Sequence, residues 1–193
     1  MNILLTGAAG GIGSTLGQHL FKLGHNLTLI DNLRNGYFKN LSYEGKFFGN
    51  FVEKSINDPN LDNFLEGHFD CLIHLAAVTA LPDCQINAID AFDINVSGTA
   101  ALLELARQKK ISKIIFASTS AVYENNTEDI FTEDLIVKPT LNYSLSKYMA
   151  ENLCNSYRNN YDMEIAILRF FNVFGPRQDI HRKNPPLLNY LVR

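Results

Sequence analysis

Near the amino terminus an apolar run, Ile3-Leu4-Leu5, passes directly into Thr6-Gly7-Ala8-Ala9-Gly10-Gly11-Ile12-Gly13. Residues at helical spacing follow at Ile12, Leu16, Leu20 and Leu23, and Gly24 supplies a C-terminal stop. The order strand, glycine turn, helix constrains the fold more than any other feature. Gly7, Gly10 and Gly13 keep the spacing Gly-x-x-Gly-x-x-Gly. A pyrophosphate must approach backbone N–H groups at a helix N-terminus, where the helix dipole favours anions. A β-carbon obstructs that approach, and the last glycine lets helix and strand pack closely. A glycine pattern alone also fits an ordinary tight turn; a strand before it and a helix after it favour the phosphate reading.

Alternation of this kind continues along the chain. Short apolar runs recur at Leu27–Ile30, within 47–52, at Cys71–Leu75, at Ile114–Ala117 and at Ile165–Phe170. Runs this apolar suit a parallel sheet buried on both faces. Helical spacing returns in Phe92, Val96, Thr99, Leu103 and Ala106, and in Tyr143, Lys147, Ala150, Glu151 and Cys154. Residues 32–46 and 120–141 are polar and read as loops. The expected class is α/β, a doubly wound parallel sheet of six or so strands with helices on both faces.

Composition narrows the partners. Seventeen basic against twenty acidic residues leave a net charge of -3, with no basic surplus for nucleic acid. No apolar run nears the ~20 residues of a membrane span, and the N-terminus lacks the segments of a signal peptide. The three cysteines, Cys71, Cys84 and Cys154, are unpatterned. They suit a reducing cytosol rather than a disulfide framework or metal site. The expected location is cytoplasmic.

The second apolar run ends in Ile30-Asp31-Asn32, and Asp31 lies 18 positions beyond Gly13. That is near the offset of about 20 at which a carboxylate accepts the ribose hydroxyls of NAD and repels the 2′-phosphate of NADP. Arg34 nearby is of the type that accommodates such a phosphate. Further on, Tyr143 and Lys147 stand four apart on one helix face. A phenol is a poor base at neutral pH until a cation stabilises its phenolate. The spacing by itself fits a surface pair equally well. A hydroxyl-rich run, Ser118-Thr119-Ser120, closes the fifth strand, where ligands bind in parallel sheets.

With these features in place, the chain resembles the extended short-chain dehydrogenase/reductase family, and within it the nucleotide-sugar epimerase branch. The landmarks are TGAAGGIG, DNLRNG, HLAA, NVSGT, FASTSAVYE, YSLSK and RFFNVFGPRQ, in the family's order. The resemblance implies an NAD-binding Rossmann domain over residues 1–178, with 179–193 opening a truncated substrate-binding region. It implies that Gly11 and Ile12 meet the pyrophosphate, and that Asp31, Asn32, Asn35 and Gly36 surround the adenosine ribose. Leu75, Ala76 and Ala77 line the cofactor. Asn95 resembles the polar residue beside the nicotinamide half; a satisfied helix amide fits it too. Thr119, four positions before Tyr123, matches the catalytic hydroxyl, with Ser118 its easily confused neighbour. Tyr143 matches the base and acid, and Lys147 its partner and a ribose ligand. Asn172 resembles the residue that holds the substrate diphosphate, with Phe171 packed beside it. The helices over Phe92–Ala106 and Tyr143–Cys154 resemble a pair that forms a homodimer interface.

Two departures stand out. The family's Gly-Asp-Ile near adenine reads Lys54-Ser55-Ile56 here, leaving Ser55 and Ile56 for that contact. Val-Tyr-Gly reads Val122-Tyr123-Glu124, a change expected to alter the loop near the sugar. Related dehydratases and decarboxylases carry acidic residues where this chain has Ser120-Ala121. The resemblance therefore implies epimerisation at carbon 4 of a UDP-hexose. Other readings are a related sugar-nucleotide oxidoreductase or dehydratase, and an NAD-binding module without turnover.

Overall fold

The computed structural model describes residues 1–178; the expected opening of a substrate region at 179–193 lies outside them. Strands β1 (Asn2–Thr6), β2 (Asn26–Asp31), β5 (Asn50–Glu53), β6 (Cys71–His74), β7 (Lys113–Thr119) and β8 (Glu164–Phe170) form one sheet in the order β5-β2-β1-β6-β7-β8. Every pairing is parallel. Strand order reverses between β1 and β6, which opens a crevice at their carboxyl ends. Between β2 and β5 lies a hairpin of two short strands, β3 (Ser42–Tyr43) and β4 (Lys46–Phe47). It replaces part of the loop expected over 32–46. Its strands are two residues long, too short to show periodicity.

Alternation along β1 sends its side chains into two cores. Ile3 and Leu5 pack with Leu27, Leu29 and Phe48 under α1 (Gly11–Lys22). Leu4 packs with Leu72, Ile114, Phe116 and Ala150 on the opposite face. That face is covered by a long helical run and by α5 (Asn142–Tyr161). The run begins after α2 (Leu81–Ile86), a helix too short to show periodicity in the sequence. It consists of α3 (Ala88–Phe92), a π-helical turn over Asp93–Gly98, and α4 (Thr99–Gln108). The widened turn carries Asn95 inward beside Thr99, so an amide outside the expected Phe92–Ala106 stripe is buried with it. Burial of both sheet faces holds only in part: Ala166 and Leu168 of β8 are exposed, because α1 reaches no farther than the other half of the sheet.

Candidate active site

The glycine turn positions everything at the crevice. Gly7 adopts φ +69, and a β-carbon there would lie 2.7 Å from the Ala76 nitrogen. A β-carbon on Gly13 would lie 2.1 Å from the Gly7 carbonyl oxygen. Only glycine lets β1, the turn and α1 come this close. The N-cap is Gly10, which has no side chain to close the first turn. The N–H groups of that turn therefore have no side-chain cap, and Gly10, Gly11, Ile12 and Gly13 border the crevice.

Above the turn lies a groove of about 360 Å³. Its lining joins residues from far apart in sequence: Gly7, Gly10, Gly11, Ile12 and Gly13 from the turn; Asp31, Asn32, Asn35 and Gly36 after β2; Ser55 and Ile56 after β5; Leu75, Ala76 and Ala77 after β6. Thr119, Tyr143 and Lys147 line the same groove.

At one end, Asp31 Oδ2 accepts from the Ala9 N–H at 2.9 Å and Oδ1 from the Leu33 N–H at 2.8 Å. Burial pushes its pKa up; the two backbone bonds work against that. Each carboxylate oxygen keeps a lone pair for a further donor. Gln178 was not anticipated. It lines the groove, and its Oε1 is a buried acceptor without a hydrogen-bond partner. An anion-binding turn, a ribose-type carboxylate and a spare acceptor fit a dinucleotide.

At the other end, Thr119 Oγ1 accepts from the Ala121 N–H at 3.1 Å, which leaves its own hydrogen to donate. Ser118 differs: its hydroxyl donates to Glu151 Oε1. Glu151 is also gripped by Arg169, whose Nη2 lies 2.8 Å from Oε2. Arg169 in turn donates to the Tyr123 hydroxyl at 2.7 Å. Lys147 stands one turn before Glu151, 4% exposed, its Nζ 4.1 Å from the Phe116 ring centroid. Burial lowers its pKa to about 8, against the opposing pull of Cys154 and Glu151.

Asn95 and Asn172 stand apart from the groove lining. Asn95 is outside the lining and 1% exposed. Its Oδ1 accepts from Val78 N–H at 2.8 Å, and its Nδ2 donates to Val78 O and Ser146 Oγ, both at 3.0 Å. Ser146 Oγ donates onward to the Tyr143 carbonyl at 2.7 Å. The amide is fully engaged with protein, so it braces the groove wall against the helix that bears Tyr143. Asn172 is exposed and also outside the lining, whereas Phe171, expected to pack beside it, is 61% exposed and borders the groove.

His74 carries a role that the sequence reading did not assign. Its Nδ1 lies 2.8 Å from Thr6 Oγ1 and its Nε2 3.0 Å from Thr99 Oγ1. Burial, with the nearby Lys147 charge, lowers its pKa to about 3. A lone histidine inside an apolar strand was the available signal. Among the described residues, no group of His, Cys, Asp or Glu side chains could hold a metal. No helix among them is long and apolar enough to cross a membrane.

Comparison with known proteins gives a family match over residues 3–193, to the model described as NAD dependent epimerase/dehydratase family. A putative UDP-glucose 4-epimerase of Methanocaldococcus jannaschii is 37% identical over 181 residues, covering 92% of this chain and 57% of that relative. The UDP-glucose 4-epimerase of Thermotoga maritima, solved with UDP-glucose, superposes with a TM-score of 0.91 at 30% identity, over 98% of this chain and 61% of that one. The UDP-glucuronic acid 4-epimerase of Bacillus cereus, solved with UDP-glucuronic acid and NAD, gives 0.84 at 33% identity, over 94% and 60%. The chain thus spans somewhat over half the length of the relatives it matches.

Proposed function

This chain belongs to the NAD dependent epimerase/dehydratase family, and from that premise we propose that it binds NAD and epimerises a nucleotide sugar at carbon 4 of a UDP-hexose. The observation that supports this reading is that Thr119, Tyr143 and Lys147 share one groove with the glycine turn and Asp31. Gly11, Ile12 and Gly13 would hold the pyrophosphate, Asp31 the adenosine ribose, and Leu75, Ala76 and Ala77 the dinucleotide's flank. Bound NAD would supply a reversible hydride acceptor for the sugar carbon.

Every other step belongs to the chain's own groups. Tyr143 Oη takes the proton of the sugar 4-hydroxyl and later returns it. Thr119 Oγ, its lone pair engaged by the Ala121 N–H, donates its hydrogen to the same sugar oxygen. Lys147 sets a positive charge beside the phenol and reaches the cofactor ribose. The wall formed by Val78, Asn95 and Ser146 keeps the Tyr143 helix in register, so catalysis draws on positioning as well as proton transfer. Asn172 reaches the substrate diphosphate as the sugar enters. Exposed Ile86, Ile89 and Met149 on the helical layer favour a homodimer.

Incubating the chain with NAD and UDP-galactose, then separating the sugar nucleotides, tests this reading. Interconversion with UDP-glucose that Tyr143→Phe abolishes is the expected result. A product lighter by one water marks a dehydratase and overturns the epimerase assignment. A second reading draws on the coverage of 57% of the Methanocaldococcus relative: residues 1–193 by themselves bind the dinucleotide without turnover. In that case Tyr143→Phe leaves NAD binding intact and there is no activity to lose.

A further inference from the structure

The adenosine end of the groove holds two cations as well as Asp31. Arg34 and Lys54 both line it. Each is tied to a carboxylate outside the lining: Arg34 Nη1 lies 2.6 Å from Asp90 Oδ2, and Lys54 Nζ 3.0 Å from Asp58 Oδ2. The two pairs differ in kind. Lys54 and Asp58 are four apart in one segment. Arg34 follows β2 whereas Asp90 belongs to α3, which follows β6, and these strands flank β1 on opposite sides. The Arg34–Asp90 pair therefore joins loops from both sides of the glycine turn.

A guanidinium beside the ribose carboxylate is the group that accommodates a 2′-phosphate in folds of this type. Arg34 is well placed for it. The Leu33 N–H donates to Asp31 Oδ1 at 2.8 Å and the Arg34 N–H to Asn32 Oδ1 at 3.1 Å, so the backbone at Arg34 is anchored to the ribose site itself. Its Nη1, however, is engaged by Asp90.

We infer that Asp90 is a cofactor-specificity residue: by holding Arg34 in an ion pair, it withdraws from a 2′-phosphate a guanidinium that lines the adenosine end, and so keeps the groove selective for NAD over NADP. This rests on the dinucleotide reading proposed above. Charge balance supports it. Asp31, Arg34 and Asp90 together leave one negative charge facing the ribose. Neutralising Asp90 cancels that charge and frees a fork whose geometry matches phosphate oxygens. The Arg34 side chain is 46% exposed, so the effect is screened by salt and is best read at low ionic strength.

Calorimetric titration with NAD and NADP, on the 193-residue chain and on Asp90→Asn, tests the assignment. The original chain prefers NAD. In Asp90→Asn the ratio of NADP to NAD affinity rises about tenfold, the change that one charge-assisted contact of about 1.4 kcal/mol produces. Adding Arg34→Gln to Asp90→Asn removes the gain, which shows that the freed guanidinium carries it. Asp90→Ser gives the same rise through an unrelated side chain, should the Asn variant fold poorly. An unchanged ratio in variants that still bind NAD overturns the role of Asp90 and leaves the dinucleotide site standing. An original chain that prefers NADP does the same. A chain that takes up neither dinucleotide overturns both the site and the inference.

Discussion

His74 sits where the sheet reverses its strand order, paired in register with Thr6, and the bonds around it leave one tautomer. The Thr99 hydroxyl donates to the Asn95 carbonyl at 2.7 Å, so it must accept from Nε2–H. The Ala76 N–H donates to Thr6 Oγ1 at 3.3 Å, and the Thr6 hydrogen is then directed to a bare Nδ1. A second proton on the ring would displace the Thr6 hydrogen from Nδ1. The folded pKa of about 3 lies below the unfolded 6.5. The folded chain therefore excludes a proton that the unfolded chain accepts, and stability falls as pH drops from 6.5 towards 3. Urea unfolding at pH 6.5 and 4.5 checks this: His74→Gln removes about 2 kcal/mol of the loss over that interval. An identical loss in both proteins speaks against the neutral ring. The sequence pointed to Asp31, Tyr143 and Lys147 because each belongs to a motif with fixed spacing. His74 stands within HLAA, yet its role is not legible there because its partners Thr6 and Thr99 lie 68 and 25 positions away. The motif around Asn95 is recognisable in the sequence, whereas the partners of its amide, Val78 and Ser146, are set by tertiary packing.

Among the elements, α5 carries the most chemistry and owes its start to another segment. Leu141 at its N-cap makes no side-chain cap. Glu124 supplies one from a distance: Oε1 accepts from the N–H groups of Thr140 and of Leu141, and Oε2 from the Ser144 hydroxyl at 2.6 Å. Burial raises the Glu124 pKa, but the bonds from Ser144, Thr140 and Leu141 outweigh it and hold the carboxyl below its ordinary range. Its contribution is present above the ordinary 4.5 and is lost as pH falls through the lowered value. Glu124→Ala should cost about 1–2 kcal/mol, read as a lower midpoint in thermal melts near neutral pH. The Gly-to-Glu departure thus ties the segment at 124 to the start of α5. Farther along α5, Glu151 and Arg169 form an ion pair with side chains only 4% and 18% exposed. Glu151→Leu alone strands the guanidinium and costs about 3–5 kcal/mol, whereas Glu151→Leu with Arg169→Met recovers much of that. Equal losses in the single and double variants would argue against pairing. Strands and the longer helices were legible because apolar period and length agree. The hairpin at 42–47, the π-helical turn and α2 were not, since each is too short to show periodicity or is set by tertiary contacts.

For the molecule as a whole, the dinucleotide reading has a thermodynamic signature. A ligand that binds only the folded chain adds about 2.7 kcal/mol at a hundredfold excess over Kd. NAD at that excess should therefore raise the thermal midpoint, and Gly13→Val, which drives side-chain atoms into the Gly7 carbonyl, should remove the increase. A midpoint indifferent to NAD counts against the groove as its site. The parallel sheet and its crevice were legible from the order of segments alone. The return of the chain after β8 was not, for nothing periodic marks it. There, Arg177 Nη1 donates to the Ser14 carbonyl at 2.9 Å, and Nη2 donates to Gln18 Oε1. A residue 163 positions downstream thus clasps α1. The floor of the groove comes from β1 and α1 and this lip from the segment after β8, so the groove is completed only by a contact of high sequence separation, the kind that is slow to form.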